Sequence, residues 1–318
     1  MLYTVLRKVT FDGKIIIIDS SNNIREFGKG DRLVKIKLKN KSIEKKLFRN
    51  PALHLGEGYM NEEILIQKGT IEELIDIVTS CYDDFIRNNS IYRFYENFSG
   101  YVKVFQQLNE AVKSKQNVAH HYDLKEDLYK LFLDKDMQYS CAYFHNQNIS
   151  LDQAQTDKKK HIINKLQIEE NMSVLDIGCG WGGMALEIAK QTGAKVKGIT
   201  LSENQFVTAS RRAQEEGLSD KVSFQIQDYR DEKFKYDRIV SIGMFEHVGI
   251  KYFKPYLKKT YDLLKDNGVF LLHTIGQRGI PTATSPWIRK YIFPGGYIPS
   301  LSDIIIETQK LNINITDI

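Results

Sequence analysis

The stretch from Val174 to Gly183, with the sequence VLDIGCGWGG, constrains the fold of this chain more than any other part of it. An apolar run breaks into glycines and then continues in a helical pattern, which predicts a buried parallel strand, a tight turn and a helix start. Gly178 and Gly180 let the backbone turn sharply and approach a ligand closely. A helix that begins after such a turn points its free N–H groups and positive dipole end at the turn. The stretch therefore predicts a site for a nucleotide-like ligand.

Two cofactors are compatible with this turn. Gly178, Gly180 and Gly183 satisfy the G-x-G-x-x-G pattern of dinucleotide-binding folds, which place an acidic residue about 20 residues later, at the tip of the second strand. The second strand here, residues 194–200, ends at Thr200 with no acid at its tip, which disfavours NAD. Glycines spaced G-x-G-x-G after a strand ending in Asp resemble motif I of S-adenosylmethionine-dependent methyltransferases. A structural turn without a ligand stays an alternative.

Length and composition exclude several classes of protein. A chain of 318 residues with 42% hydrophobic content is long enough for one large or two medium domains with a real core. The net charge of +5 is too small for the dense basic face of a nucleic-acid binder. Cys81, Cys141 and Cys179 form no C-x-x-C pair, which argues against a disulfide framework or a zinc site. Neither a signal peptide nor a membrane span of about 18 apolar residues occurs, so we expect a soluble, cytoplasmic protein.

The N-terminal 80 residues contain short strand patterns, among them residues 14–19 and 33–39. The second run alternates strictly, so that Lys35, Lys37 and Lys39 share one face. Two interpretations remain open: the lysines protect an exposed sheet edge, or they form a basic patch for phospholipid headgroups. The second interpretation adds the following nearby residues: Lys41, Lys45, Lys46 and Arg49.

The phrase LGEGYM at Leu55–Met60 resembles a signature in the N-terminal domain of bacterial cyclopropane-fatty-acyl-phospholipid synthases. A helix is predicted over residues 71–78. His54 and Glu57 have no third ligand nearby, so we predict no metal site. Residues 1–115 are assigned to an N-terminal lipid-associated α+β domain and linker, the linker rich in aromatics from Tyr92 to Phe105.

Residues 116–318 are assigned to a Rossmann-like methyltransferase domain of the α/β class. HHYD at 120–123, a helix at 128–134 and YSCAYF at 139–144 closely resemble signatures of the same synthases and of the mycolic acid cyclopropane synthases. Thr200–Gln205 resembles their TLSxxQ phrase, with Ser202 as a helix cap. The resemblance, together with the turn and the end of the third strand, implies these cofactor-binding residues: Tyr139, Ser140, Gly178, Gly180, Gly182, Thr200, Leu201, Ser202, Gln205, Asp228, Tyr229 and Arg230. Asp228 is expected to accept from the adenine amino group, and Tyr229 to stack on the ring.

Strands four and five, at 236–242 and 268–275, bring Glu246 and His273 to one edge of the sheet, where open α/β folds place their chemistry. Two titratable residues at matching positions favour a catalytic pair. FEHVG and HTI resemble the family's phrases. That resemblance implies a bicarbonate ion bound by Glu246, His273, Ile275 and the backbone of Cys141. The sequence leaves open whether Glu246 is protonated.

The resemblance implies an enzyme that transfers a methylene group from S-adenosylmethionine to the cis double bond of an unsaturated phospholipid acyl chain. Aromatic side chains would shield the resulting cation; the candidates are Tyr139, Tyr143, Phe144 and Phe245. The implied partners are phospholipid and the anionic inner face of the cell membrane, with peripheral association; nucleic acid is not expected, and a homodimer stays open. Alternatives are an enzyme that makes methyl-branched acyl chains and an inactive lipid- or cofactor-binding protein.

The last seven residues, 312–318, alternate after a predicted helix at 302–311 and resemble the opening of a sixth strand. Methyltransferase sheets of this kind normally have seven strands. We therefore expect that the chain lacks the family's C-terminal segment and that, as given, it is inactive or nearly so.

Overall fold

The computed structural model describes residues 1–90, 126–278, 284–293 and 295–318. These residues form two compact units: 1–90 with 284–292, and 126–278 with 293 and 295–318. The predicted boundary at 115/116, the aromatic run of the linker and the HHYD stretch lie outside the described residues, and the boundary stays a prediction. Segment 284–292 belongs to the N-terminal unit, although the sequence alone placed it in the methyltransferase domain.

The first unit contains a three-stranded sheet and short helices. Its strands, in the order β1-β2-β3, are β1 Asp12–Ile18, β2 Ile24–Leu38 and β3 Ile64–Lys68. Its helices are α1 Leu2–Leu6, α2 Lys41–Arg49, α3 Pro51–Met60, α4 Ile71–Ser80, α5 Tyr82–Asn88 and, from the later segment, a helix at Pro286–Tyr291. Helix α4 confirms the prediction for 71–78 and begins with a capping box between Thr70 and Glu73.

The lysine-faced run does not lie at a sheet edge. Lys35 and Lys37 alternate with buried Val34, Ile36 and Leu38, as predicted. Residues 33–37 pair with β1 on one side, and residues 35–38 pair with β3 on the other. The edge-protection interpretation is therefore wrong for Lys35 and Lys37, because the backbone between them already has partners on both sides.

Helix α3 and the helix at Pro286–Tyr291 share a polar cluster. The Glu57 carboxylate accepts from Lys290 Nζ at 2.6 Å and Tyr291 Oη at 2.9 Å, and it contacts His54 Nδ1 at 2.9 Å. These bonds, led by that of Lys290, lower the pKa of Glu57 to about 2. A Cβ at residue 56 would lie 2.4 Å from Trp287 Nε1, which explains the glycine in LGEGYM. Among the described residues, no three His, Cys, Asp or Glu side chains are grouped as metal ligands.

The second unit is built on a parallel sheet in the order β6-β5-β4-β7-β8. Its strands are β4 Ser173–Ile177, β5 Lys195–Thr200, β6 Val222–Ile226, β7 Tyr236–Ile242 and β8 Leu264–His273. Val174 belongs to the apolar cluster on one face and Leu175 to a cluster on the other, as expected for a strand buried on both sides. The predicted α/β class is confirmed.

The helices of this unit are α6 Glu126–Lys130, α7 Leu151–Leu166, α8 Gly183–Thr192, α9 Glu203–Glu215, α10 Phe253–Asp262 and, after α11 at Pro286–Tyr291 of the first unit, α12 Leu301–Lys310. Single 3₁₀ turns occur at Tyr229–Asp231, Phe245–His247 and Ile250–Tyr252. No helix in the described part of the chain is long and apolar enough to cross a membrane.

Two predicted elements differ from the structure. Helix α6 ends at Lys130, before the predicted 134, because the Asp134 carboxylate accepts from the backbone N–H groups of Asp136 and Gln138 and turns the chain. Helix α12 confirms the helix predicted at 302–311, but residues 313–318 form no strand. Alternation alone does not make a strand when no neighbouring strand supplies hydrogen bonds, and none of the described strands pairs with these residues.

Candidate active site

The turn between β4 and α8 forms the floor of a cavity at the carboxyl edge of the parallel sheet. Gly178, Gly180 and Gly182 all have positive φ, at 79°, 55° and 86°. A Cβ at Gly178 would lie 2.9 Å from the Met244 side chain, whereas one at Gly180 would meet no atom within 4 Å. Gly180 therefore faces open space, where a ligand can approach the backbone.

The opposite wall is the loop that follows α6. Met137, Gln138, Tyr139 and Ser140 of this loop line the cavity. Helix α7 anchors the loop, because Gln155 Nε2 donates to the carbonyl oxygens of Gln138 at 3.2 Å and Ser140 at 2.9 Å.

An ion-pair network joins this loop to the glycine turn. The Asp136 carboxylate pairs with Lys159 Nζ at 2.6 Å and with Arg212, which also donates to the Trp181 carbonyl at 2.9 Å. A Cβ at residue 183 would lie 2.4 Å from Asp136 Oδ2. The network thus requires glycine where helix α8 begins.

The end of β5 supplies polar groups to the cavity. Thr200 Oγ1 donates to Gln205 Oε1 at 2.7 Å and accepts from the Ser202 N–H at 3.2 Å. Ser202 Oγ accepts from the Gln205 N–H at 3.3 Å, which confirms its predicted role as the N-cap of α9. These bonds fix the Gln205 side chain beside Thr200, where both can contact a ribose.

The loop after β6 contributes an aromatic ring and an ion pair. Arg230 binds both oxygens of Asp228, with Nη2 2.6 Å from Oδ2 and Nε 2.8 Å from Oδ1. Tyr229 packs edge-on against Tyr256, with ring centroids 5.1 Å apart. Asp228 is therefore already engaged by Arg230, so an adenine amino group would share its carboxylate with the guanidinium.

Ten of the twelve predicted cofactor residues line this cavity: Tyr139, Ser140, Gly178, Gly180, Thr200, Leu201, Gln205, Asp228, Tyr229 and Arg230. Gly182 and Ser202 do not. A Cβ at Gly182 would lie 2.7 Å from Phe224 and 2.9 Å from Ala209, so this glycine serves packing, and Ser202 caps a helix. Direct cofactor contacts remain predictions for all twelve residues.

Glu246 and Ile275 of the predicted catalytic set meet directly. The Ile275 N–H donates to Glu246 Oε1 at 2.7 Å, and Gly243 N donates to the His273 carbonyl at 3.0 Å, so the ends of β7 and β8 are tied together. Glu246 Oε2 and His273 Nδ1 are buried and have no partner among the described residues. Burial raises the pKa of Glu246 and lowers that of His273, so both side chains favour their neutral forms.

Part of the proposed aromatic shield is arranged differently from the sequence-based expectation, whereas the backbone role expected of Cys141 stays a prediction. The Cys141 side chain is exposed, and the residue does not line the cavity. Tyr139 lines the cavity, but Tyr143 and Phe144 are exposed, and Phe245 is fully buried against Phe253 at 4.1 Å between ring centroids. Phe245 is therefore a core residue, and the prediction that it shields a cation is wrong.

Sequence reasoning missed two buried charged groups beside the cavity. Asp176, at the end of β4, lines it with Oδ2 unpaired among the described residues, and burial raises the pKa of this side chain to about 7. Lys158, on α7, lies behind Ser140 and Gln138. The acid that ends β4 was visible in the sequence, but a lysine in a mostly polar helix gave no signal.

Residues 109–318 match the family model described as mycolic acid cyclopropane synthetase. The chain belongs to this family. Residues 3–90 match a domain of unknown function, DUF7884.

Relatives agree with the family assignment. The cyclopropane-fatty-acyl-phospholipid synthase of Escherichia coli K12 is 39% identical over 273 residues, which cover 85% of this chain and 68% of that protein. A probable fatty acid methyltransferase of Pseudomonas putida is 40% identical over 208 residues, covering 63% and 53%. The structure of the mycolic acid cyclopropane synthase CmaA1, complexed with SAH and CTAB, superposes with a TM-score of 0.60 at 32% identity, covering 64% of this chain and 76% of that one.

The cavity of this cyclopropane synthetase family member fits S-adenosylmethionine. The open backbone at Gly180, the paired Thr200 and Gln205 side chains and the Tyr229 ring offer groups of the kind that contact an amino acid, a ribose and a base. The chain is therefore an S-adenosylmethionine-dependent enzyme with a methyltransferase sheet.

Proposed function

We propose that the enzyme forms a cyclopropane ring on the cis double bond of unsaturated phospholipid acyl chains, with S-adenosylmethionine as the one-carbon donor. The name of the E. coli relative and the length of its match support the phospholipid substrate. The observation that carries the proposal is a pair of buried side-chain atoms at the edge of the sheet, Glu246 Oε2 and His273 Nδ1, which have no partner among the described residues, while the Ile275 N–H holds the other Glu246 oxygen.

S-adenosylmethionine supplies an electrophilic methyl group, and the double bond of the acyl chain is its nucleophile. An alkene reacts poorly, so the protein contributes chiefly by fixing the reactants and excluding water. The loop wall at Met137–Ser140 and the turn at Gly178–Gly180 line the same cavity and would hold the cofactor between them. The Tyr139 ring, which lines the cavity, can stabilise positive charge that develops on the acyl chain.

Ring closure requires that a proton leave the transferred carbon. We propose that Glu246, His273, Ile275 and the Cys141 backbone bind bicarbonate, which would supply a base at that position. Two buried atoms support this assignment, because Glu246 Oε2 and His273 Nδ1 have no other partner in the described part of the chain. The raised pKa of Glu246 favours a carboxyl that donates a hydrogen bond to an anion rather than repelling it.

Mass spectrometry of lipids tests this function. Vesicles of monounsaturated phospholipid are incubated with the purified chain and S-adenosylmethionine, with Glu246→Gln as a matched control. A gain of one CH₂ together with disappearance of the olefinic signals from the proton NMR spectrum supports the proposal. A gain of one CH₂ with a double bond still present indicates methyl transfer without ring closure, which a separate reductase would have to convert into a methyl-branched chain, and unchanged lipid despite cofactor binding contradicts the proposed reaction.

A further inference from the structure

Lys158 is a buried ammonium that no carboxylate neutralises at close range. The residue is 3% exposed and lies on the inner side of α7. Its Nζ donates to Ser140 Oγ at 2.7 Å and to Gln138 Oε1 at 2.9 Å. Among the described residues no acidic side chain lies within ion-pair distance of it, unlike Lys159 beside it, which pairs with Asp136 and Glu187. A buried lysine without a close counter-ion destabilises a fold, so such an arrangement needs a functional reason.

The direction of these bonds follows from chemistry. An ammonium has three donors and no acceptor, so Ser140 Oγ and Gln138 Oε1 must both accept from it. Gln138 is thereby oriented with its amide nitrogen outward, where it donates to Asp136 Oδ2 at 3.0 Å. Ser140 keeps its hydroxyl proton for another partner, and no described residue accepts it.

Ser140 lines the cofactor cavity, and its Cβ lies 3.6 Å from the position of a Cβ on Gly243, at the end of β7. We propose that Lys158 is a positioning residue which, as a cation, commits the Ser140 hydroxyl to donate into the cavity, to an anionic oxygen of the bound ligands. This inference rests on the proposed function and names the orientation of one of its binding groups. The acceptor is either the carboxylate of the cofactor or the bicarbonate ion.

The proposed role depends on the charge of Lys158, so it should also depend on pH. Burial lowers the pKa of Lys158 to about 8. The charged or titratable groups that act on it, or that it acts on, come from the loop, α7, β4 and β8: Asp134, Asp136, Cys141, Lys159, Asp176 and His273. Once deprotonated, the amine can accept from Ser140, and the hydroxyl no longer has to donate into the cavity.

A double-mutant cycle tests the proposal with S-adenosylhomocysteine as the titrant in bicarbonate-free buffer. If the acceptor is the cofactor carboxylate, Lys158→Met and Ser140→Ala should each weaken binding by about tenfold, the size expected for one hydrogen bond to a charged group. If the acceptor is the bicarbonate ion, the same two substitutions should instead weaken the activation of turnover by bicarbonate. Because both substitutions remove the same bond, the double variant should also lose about tenfold rather than about a hundredfold. Lys160→Met, an exposed lysine on the same helix, is the matched control and should bind as the parent chain does.

A second arm identifies the acceptor. The parent chain, the two single variants, the double variant and the Lys160→Met control are also assayed for the bicarbonate dependence of turnover. Coupling in cofactor binding places the acceptor on the cofactor, and coupling confined to bicarbonate activation places it on the ion. Additive effects in both arms overturn the proposal. Ring formation by the parent chain is read separately, so failure of the proposed reaction is distinguished from failure of this inference.

If Lys158→Met does not fold, the pH dependence decides. The ratio between the parent chain and Ser140→Ala, taken for cofactor affinity or for bicarbonate activation according to which of the two Ser140→Ala impairs, should fall towards one as the pH rises through about 8, where Lys158 loses its proton. Titration of the ligand's own amino group affects both proteins equally and cancels in this ratio. A ratio that does not change across this range contradicts the proposal.

Discussion

The backbone N–H of Ile275 donates to Glu246 Oε1 at 2.7 Å and leaves Glu246 Oε2 buried without a partner in the described residues. This bond joins the turn after β7 to the end of β8. It fixes one oxygen of the carboxyl group and leaves the other without a partner, as the proposed role of Glu246 in holding a ligand requires of a preorganised group.

Glu246→Gln tests the role of that carboxyl group. We expect turnover to fall by about a hundredfold or more, in the range typical for disrupted acid–base chemistry. The affinity for S-adenosylhomocysteine should change little, because Glu246 does not line the cofactor cavity. Calorimetric titration beside the lipid assay measures both quantities, with exposed Glu169→Gln as the control. A parallel loss of cofactor affinity would refute the assignment.

His273 should make the fold less stable in acid. Burial lowers its pKa below the ordinary value, so as the pH falls the unfolded chain takes up a proton before the folded chain does. The free energy of unfolding should therefore decrease on this account as the pH falls from about 7 to about 5. Thermal unfolding of His273→Gln should show a shallower decrease, whereas exposed His161→Gln should follow the parent chain. Equal slopes for all three proteins would contradict this.

Gly178→Val should abolish cofactor binding. The backbone has φ of 79°, which β-branched residues strongly disfavour, and the added Cβ would lie 2.9 Å from the Met244 side chain. Gly217 has φ of 67° with nothing within 4 Å of its Cβ position and does not line the cavity, so Gly217→Val tests backbone strain alone. We expect both variants to lose stability, but only Gly178→Val to lose binding in titration with S-adenosylhomocysteine. If a folded Gly178→Val variant binds normally, the turn is not part of the cofactor site.

The lysine face of β2 gives a prediction about membranes. Replacing Lys35, Lys37 and Lys39 by Gln should weaken binding to anionic vesicles and flatten its dependence on salt, since three charges that attract lipid headgroups are lost. The control removes the same charge from exposed lysines of the second unit: Lys160, Lys195 and Lys254. Vesicle sedimentation at several salt concentrations measures the effect. Equal binding by the two triple variants would argue against a specific patch.

Local signals in the sequence were sufficient for much of the second unit. The glycines at 178 and 180, the cap at Ser202 and the strand at 236–242 depend on backbone angles and spacings within a few residues, and the structure shows each where the sequence predicts it. Parallel strands bring their carboxyl ends to one edge, so the grouping of ten of the predicted cofactor residues around one cavity followed once the strands were recognised.

Tertiary structure alone decided which residues meet across the chain. The alternating pattern of residues 33–39 would be the same in an edge strand and in a central strand. Alternation shows that one face of the strand is buried, but it does not show how many neighbouring strands pair with it. The prediction of a strand at 312–318 was wrong for a related reason, because a strand needs a neighbouring strand that its own sequence does not specify. Gly56 is required by Trp287, and Lys158 is oriented by Ser140. Contacts between residues far apart in sequence produce no periodic pattern in the sequence. The sequence by itself therefore determined the glycine turn and the edge of the sheet at which the site lies. Tertiary packing determined how the buried charges around them are arranged.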